Sequence, residues 1–139
     1  MSAATFAGWC FCTPHPVRMS DASYGGSEQI DINADTYNQL VQDKASFIVF
    51  IDQTNCITAN KLRGMLDNIA NKYQIHIYHI MWADIKDTNL NGAVKYYPSV
   101  AIIKNGKVAY ALDANSDAHT TYYNSEADLE NWLIRHVEL

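Results

Sequence analysis

Ser46-Phe47-Ile48-Val49-Phe50-Ile51 is an uninterrupted apolar and β-branched run. A strand built from it is apolar on both faces, so both faces must be covered. Such a run is expected for a central strand sandwiched by helices, which directs the chain to the α/β class. Covering helices are written beside it. Leu62, Met65, Leu66, Ile69, Ala70 and Tyr73 recur at the spacing of one helical face, a strong amphipathic signature. Upstream, Ile30 and Ile32 alternate with Asp31 as in a short strand. Asn33 or Asp35 can then cap a helix carrying Tyr37, Leu40 and Val41. Between the central run and the long helix, Asp52-Gln53-Thr54-Asn55 reads as a polar turn.

Residues 74–83 (QIHIYHIMWA) form a second β-rich apolar run. After it, Asp87 is expected to cap a short helix carrying Leu90 and Val94, which Tyr97-Pro98 stops. The residues that follow are a hairpin signature, because Asn105-Gly106 supplies the two positive-φ positions of a type I′ turn between Val100-Ala101-Ile102-Ile103-Lys104 and Lys107-Val108-Ala109-Tyr110-Ala111-Leu112. A polar loop over residues 113–124 leads to Ser125-x-x-Asp128, a capping-box-like start. The closing helix places Leu129, Trp132, Leu133 and Val137 on one face. The order βαβαβαββα implies a central mixed sheet of four to five strands, parallel early and antiparallel at the hairpin, flanked by helices on both faces.

A chain of 139 residues with 48% hydrophobic residues and only six Gly and three Pro is one folding domain, and its composition excludes low-complexity and collagen-like classes. Residues 1–27 read as an N-terminal arm, ending in turn formers up to Gly25-Gly26, and residues 28–139 as the domain. The net charge is −5, with no run of Lys or Arg. This gives no electrostatic footprint for nucleic acid or anionic lipid. No window reaches the 18 or more apolar residues of a membrane-spanning helix. The first residues, MSAATFAGWCFC, lack a basic n-region, and Gly8 and Trp9 break their apolar stretch. The expectation therefore leans to a cytoplasmic chain, while a signal removed before this start remains compatible with the same residues.

The arrangement resembles the thioredoxin-like superfamily over roughly residues 30–139. The resemblance rests on the buried strand, on Cys56 a few residues beyond its end at the opening of the long helix, on Tyr97-Pro98-Ser99-Val100, and on Lys104-Asn105-Gly106. It implies a thioredoxin fold, thiol-disulfide exchange within cell redox homeostasis, a cis Pro98 beside the reactive sulfur, and a protein or peptide thiol or disulfide as partner. It implies no cofactor. The chain departs from the family's W-C-G-P-C motif: residues 55–59 read Asn-Cys-Ile-Thr-Ala, so only the first cysteine is kept. The acid that many thioredoxins bury on the central strand falls on Phe50, and the loop over residues 113–124 is longer than usual.

Cys56 is the candidate nucleophile, because a thiol at a helix N-terminus faces unpaired N–H groups and the positive end of the dipole. Asn55, Ile57, Tyr97 and Pro98 are the candidate substrate-binding residues around it. With Ala59 in place of the second cysteine, exchange within the motif is excluded. What is left is monothiol exchange resolved from outside, covalent trapping of a partner, or resolution by Cys10 or Cys12. The competing reading is a redox-inactive module that binds a partner through the groove around Pro98, with Cys56 kept as a small apolar residue. Cys10-x-Cys12-x-x-His15 has soft-metal residue types but lacks a fourth ligand, so no metal is expected. Trp9, Phe11 and these cysteines can equally dock as apolar anchors. His76 and His79 fall on opposite faces of a strand and read as ordinary rim residues. Tyr96-Tyr97 and Tyr122-Tyr123 can line a peptide surface near Pro98 or pack as core and rim.

Overall fold

The computed structural model describes residues 15–139. Five strands form one sheet in the order β1-β3-β2-β4-β5, where β1 is Ile30–Asp31, β2 Phe47–Asp52, β3 Tyr78–Met81, β4 Ser99–Lys104 and β5 Lys107–Ala111. The helices are α1 (Ala34–Gln42), α2 (Ile57–Tyr73), α3 (Thr120–Asn124) and α4 (Glu126–His136). Strand β2 runs parallel to β3 and antiparallel to β4, with Phe50 opposite both His79 and Val100. Every residue of β2 is buried, as its two apolar faces require.

Alternate β2 residues feed two cores. Ile48 and Phe50 pack with Leu62, Leu66 and Ile69 of α2 and with Leu129 and Leu133 of α4. Phe47, Val49 and Ile51 pack on the other face with Tyr37 of α1 and with Ile85, Leu90 and Val94. Tyr37 and Phe47 meet edge to face, with ring centroids 5.6 Å apart.

Local signals set the boundaries. The Asn33 side chain accepts from the Thr36 N–H and starts α1, whereas Ser125 accepts from Asp128 and starts α4. Gln74, in the left-handed region at φ 53°, ends α2. Asn105 and Gly106, at φ 52° and 79°, close the β4–β5 hairpin.

Four expectations are corrected. The residues around Leu90 and Val94 form turns instead of a short helix, although both side chains are buried. Gly92 in the middle, at φ 91°, is incompatible with a continuous helix. Only Tyr78–Met81 of the run 74–83 is strand, because Gln74 and Ile75 close the turn after α2 and Trp82–Asp84 is a short 3₁₀ turn. Asp52 belongs to β2 and is buried. The loop over 113–124 holds a 3₁₀ turn (Asp117–His119) and α3.

Val17 bridges to Val137, and Met19 is buried in the α2/α4 core. The Tyr24 hydroxyl donates to the Glu138 carbonyl at 2.7 Å. No helix among the described residues is long and apolar enough to cross a membrane.

Candidate functional site

Strand β2 ends at Asp52, and a turn through Asn55 at φ 57° brings the chain round to Cys56, which stands at the N-cap of α2 in extended conformation. The Cys56 thiol is free and half-buried, and it caps no N–H itself. Its carbonyl accepts from the Asn60 N–H at 3.1 Å. Cys56 thus stands at the positive end of a 17-residue helix, where the first-turn N–H groups lack intrahelical partners.

A cleft of about 480 Å³ opens on this corner, lined by Cys56, Ile57, Tyr97 and Pro98 on one side and by Tyr123 and Asn124 on the other. The Tyr97–Pro98 peptide bond is cis. Among the expected site residues the cleft brings together Cys56, Ile57, Tyr97 and Pro98. Asn55 is exposed and is not part of its lining. Cys10 and Cys12 lie outside the described residues. Ile57, 87% exposed, is an apolar side chain presented to solvent directly beside the thiol.

The second wall is the segment 113–124. The Lys61 ammonium on α2 donates to Asn124 Oδ1 at 3.2 Å, tying that wall to the helix that carries Cys56. Tyr123, buried, donates its hydroxyl to the Pro98 carbonyl at 2.7 Å. Burial pushes the Tyr123 hydroxyl far above the usual tyrosine range, so it remains a donor at any working pH. Ser99, next in the chain, donates to the Leu112 carbonyl at 2.6 Å. On the other side of Pro98, the Tyr97 hydroxyl donates to the Val94 carbonyl at 2.9 Å, and its ring tilts against Trp82 at 6.2 Å. Of the tyrosines singled out in the sequence, Tyr97 and Tyr123 meet at the cleft.

A polar cluster in the core next to this corner escapes sequence reasoning. The Asp52 carboxylate, 3% exposed, accepts from Arg63 of α2, from His79 Nε2 at 2.8 Å, and from the Gln53 N–H at 2.8 Å. His79 Nδ1 lies 2.9 Å from the exposed Asp31 carboxylate, so this ring links β1 to β2 and is not an ordinary rim residue. Burial pushes the Asp52 carboxyl up. The hydrogen bonds from His79 and Arg63, with the guanidinium charge, outweigh that and hold it below the usual carboxylate range. The parallel pairing of Phe50 with His79 and of Asp52 with Met81 places Asp52 and His79 on one face two residues apart, a relation that only the strand register reveals.

Comparison with known proteins gives one family match: the family model described as thioredoxin matches residues 28–125. No curated protein sequence matches the chain significantly. Solved structures share the fold at low identity. A thioredoxin from Halobacterium salinarum, a mutant, superposes with a TM-score of 0.61 at 13% identity, over 83% of this chain and 96% of its own. The reduced thioredoxin pre-protein of Schistosoma mansoni gives 0.59 at 18% identity, over 80% and 100% respectively. A thioredoxin from Nicotiana alata gives 0.59 at 17% identity, over 84% and 98%.

Proposed function

The chain belongs to the thioredoxin family, and from that membership we propose that it carries out thiol-disulfide exchange by monothiol chemistry at Cys56. The observation that carries this reading is the meeting of Cys56, at the N-cap of a long helix, with cis Pro98 in one cleft. The Cys56 thiolate attacks one sulfur of a partner's disulfide. A bond forms between Cys56 Sγ and that sulfur, the partner's S–S bond breaks, and its other sulfur leaves with the electron pair as a thiolate.

The product is a mixed disulfide. Residues 56–59 read C-x-x-A, and Ala59, wholly buried, supplies no thiol to resolve it. A second thiol must attack the adduct, displace Cys56 as the thiolate and leave with the partner in a new disulfide. Cys10 and Cys12 are the two other thiols of the chain, and a free small thiol does the same chemistry. Ile57 and Tyr97 supply apolar contacts for an extended partner segment lying across Pro98, and the exposed Asn55 side chain just before the thiol is free to contact the same segment outside the cleft.

Partner capture under oxidising conditions tests the reading. The full chain is expected to give disulfide-linked adducts that reductant releases and that Cys56→Ser abolishes. Adducts that persist in Cys56→Ser would move the chemistry to Cys10 or Cys12, and partners that bind equally well without any disulfide would point instead to a non-covalent module using the groove around Pro98.

A further inference from the structure

We propose that the end of the sheet remote from Cys56 carries a second interaction surface, a lysine cradle that docks an acidic segment of a partner protein. Lys44, Lys104 and Lys107 converge on one shallow concavity of about 450 Å³, together with Asn105 and Ala109. Lys44 lies in the turn before β2, and the other two flank the β4–β5 turn. Cys56 follows the opposite end of β2, which at about 3.3 Å per residue puts the two surfaces about 20 Å apart.

The cations in the cradle are uncompensated. Arg18, Arg63 and Lys72 each have a carboxylate within 4 Å. Among the described residues Lys44, Lys104 and Lys107 have none, as is also true of Lys61, Lys86, Lys95 and Arg135, but only these three together line one concavity. Residues 1–14 contain no Asp or Glu at all. Asp43, the nearest acid in sequence, accepts from Gln39 Nε2. Three like charges around one hollow repel each other, and an anionic occupant relieves that repulsion.

The backbone beneath them is held firmly. The Gly106 N–H donates to the Ala45 carbonyl at 2.8 Å and the Asn105 N–H to Ser46 Oγ at 3.0 Å. Asn89 donates to the Gly106 carbonyl at 2.9 Å. Gly106 lies so close to Val41 that a Cβ there would meet the Val41 carbonyl oxygen at 2.5 Å. The two turns are thus one rigid platform, and docking an anion on it requires little ordering of the chain.

The remaining charge selects the occupant. Without these three lysines the chain has seven Lys and Arg against 15 Asp and Glu. That acidic remainder repels a long polyanion such as a nucleic acid, whose charge extends well beyond the patch. A short run of carboxylates on a protein surface fits within the cradle.

Fluorescence anisotropy of a labelled short polyglutamate peptide with the full-length protein tests this. Binding is expected to weaken as salt rises. The K44Q/K104Q/K107Q variant should lose about tenfold in affinity, while the charge-matched K86Q/K95Q/R135Q variant stays within about twofold. Amide resonance shifts should centre on residues 44–46 and 104–109, and Cys56→Ser should bind the peptide as tightly as the parent. An unchanged affinity in K44Q/K104Q/K107Q, equal losses in the two triple variants, shifts centred elsewhere, or tighter binding of a single-stranded oligonucleotide of equal charge would each overturn the proposal. Retained thermal midpoints in both variants keep these outcomes separate from unfolding, and the readout does not depend on Cys56 chemistry.

Discussion

The Tyr123 hydroxyl donates to the Pro98 carbonyl at 2.7 Å, joining the short helix of the 113–124 segment to the residue that faces the Cys56 cleft. One hydrogen bond thereby connects the segment between the hairpin and the last helix to the edge of the site. Tyr123→Phe removes only the hydroxyl and leaves a buried carbonyl unpaired, a loss of about 1–2 kcal/mol in denaturant unfolding. The loosened Pro98 edge should slow reaction of Cys56 with a peptide disulfide while leaving its alkylation by a small reagent unchanged. Equal slowing of both reactions would mean that Tyr123 acts on the thiol itself and not on the edge where the partner lies.

Asp52 predicts the acid limb of stability. Its carboxyl is held below the usual range in the folded chain, so at a given acidic pH the unfolded chain holds more protons. Its contribution is therefore fully present above the ordinary carboxylate value, about pH 4, and is lost as pH falls below that through the depressed folded value. Asp52→Asn leaves Arg63 and His79 without their shared anion and should cost about 2–3 kcal/mol at pH 7. Urea unfolding of both proteins from pH 7 downward should show the gap narrowing below about pH 4. A gap that stays constant or widens in acid would contradict the assignment.

Ala59 predicts a gain of function. It lies three residues after Cys56 in the first turn of α2 and is wholly buried. Positions three apart on a helix are neighbours at a distance that a disulfide spans. With Cys10→Ser and Cys12→Ser in the background, Ala59→Cys should release a Cys56 mixed disulfide without added thiol, whereas the parent adduct should persist. Mass spectrometry of the adduct over time distinguishes the two.

The central strand, the hairpin and the place of Cys56 were legible because each rests on a strong local rule. The apolar run needs cover on both sides, Asn105-Gly106 accepts positive φ, and the long apolar stripe from Leu62 to Tyr73 has one period. The short helix expected around Leu90 and Val94 fails because apolar spacing alone does not register a backbone reversal at Gly92. Val17 and Met19 sit among turn formers in sequence, and what orders them is distant: Val17 pairs with Val137 at the far end of the chain, and Met19 packs into the α2/α4 core. The role of His79 is hidden for a related reason. Alternation along one strand gives a side chain its face, but Asp52, its partner on that face, comes from a neighbouring strand whose register no short window of sequence contains. The site is legible in the same proportion. Cys56, Tyr97 and Pro98 follow from motif and order, while the wall made by Tyr123 and Asn124 depends on how the 113–124 segment folds back over α2.

The most direct test of Cys56 chemistry is its rate of mixed-disulfide formation with 5,5′-dithiobis(2-nitrobenzoate) in the chain carrying Cys10→Ser and Cys12→Ser, compared at neutral pH in buffer and in denaturant. The folded chain should react at least as fast as the unfolded one, because the free, half-buried thiol lines the open cleft that receives the partner's disulfide. A thiol that reacts more slowly folded than unfolded would contradict exchange at Cys56 and leave the cleft as a site of non-covalent binding.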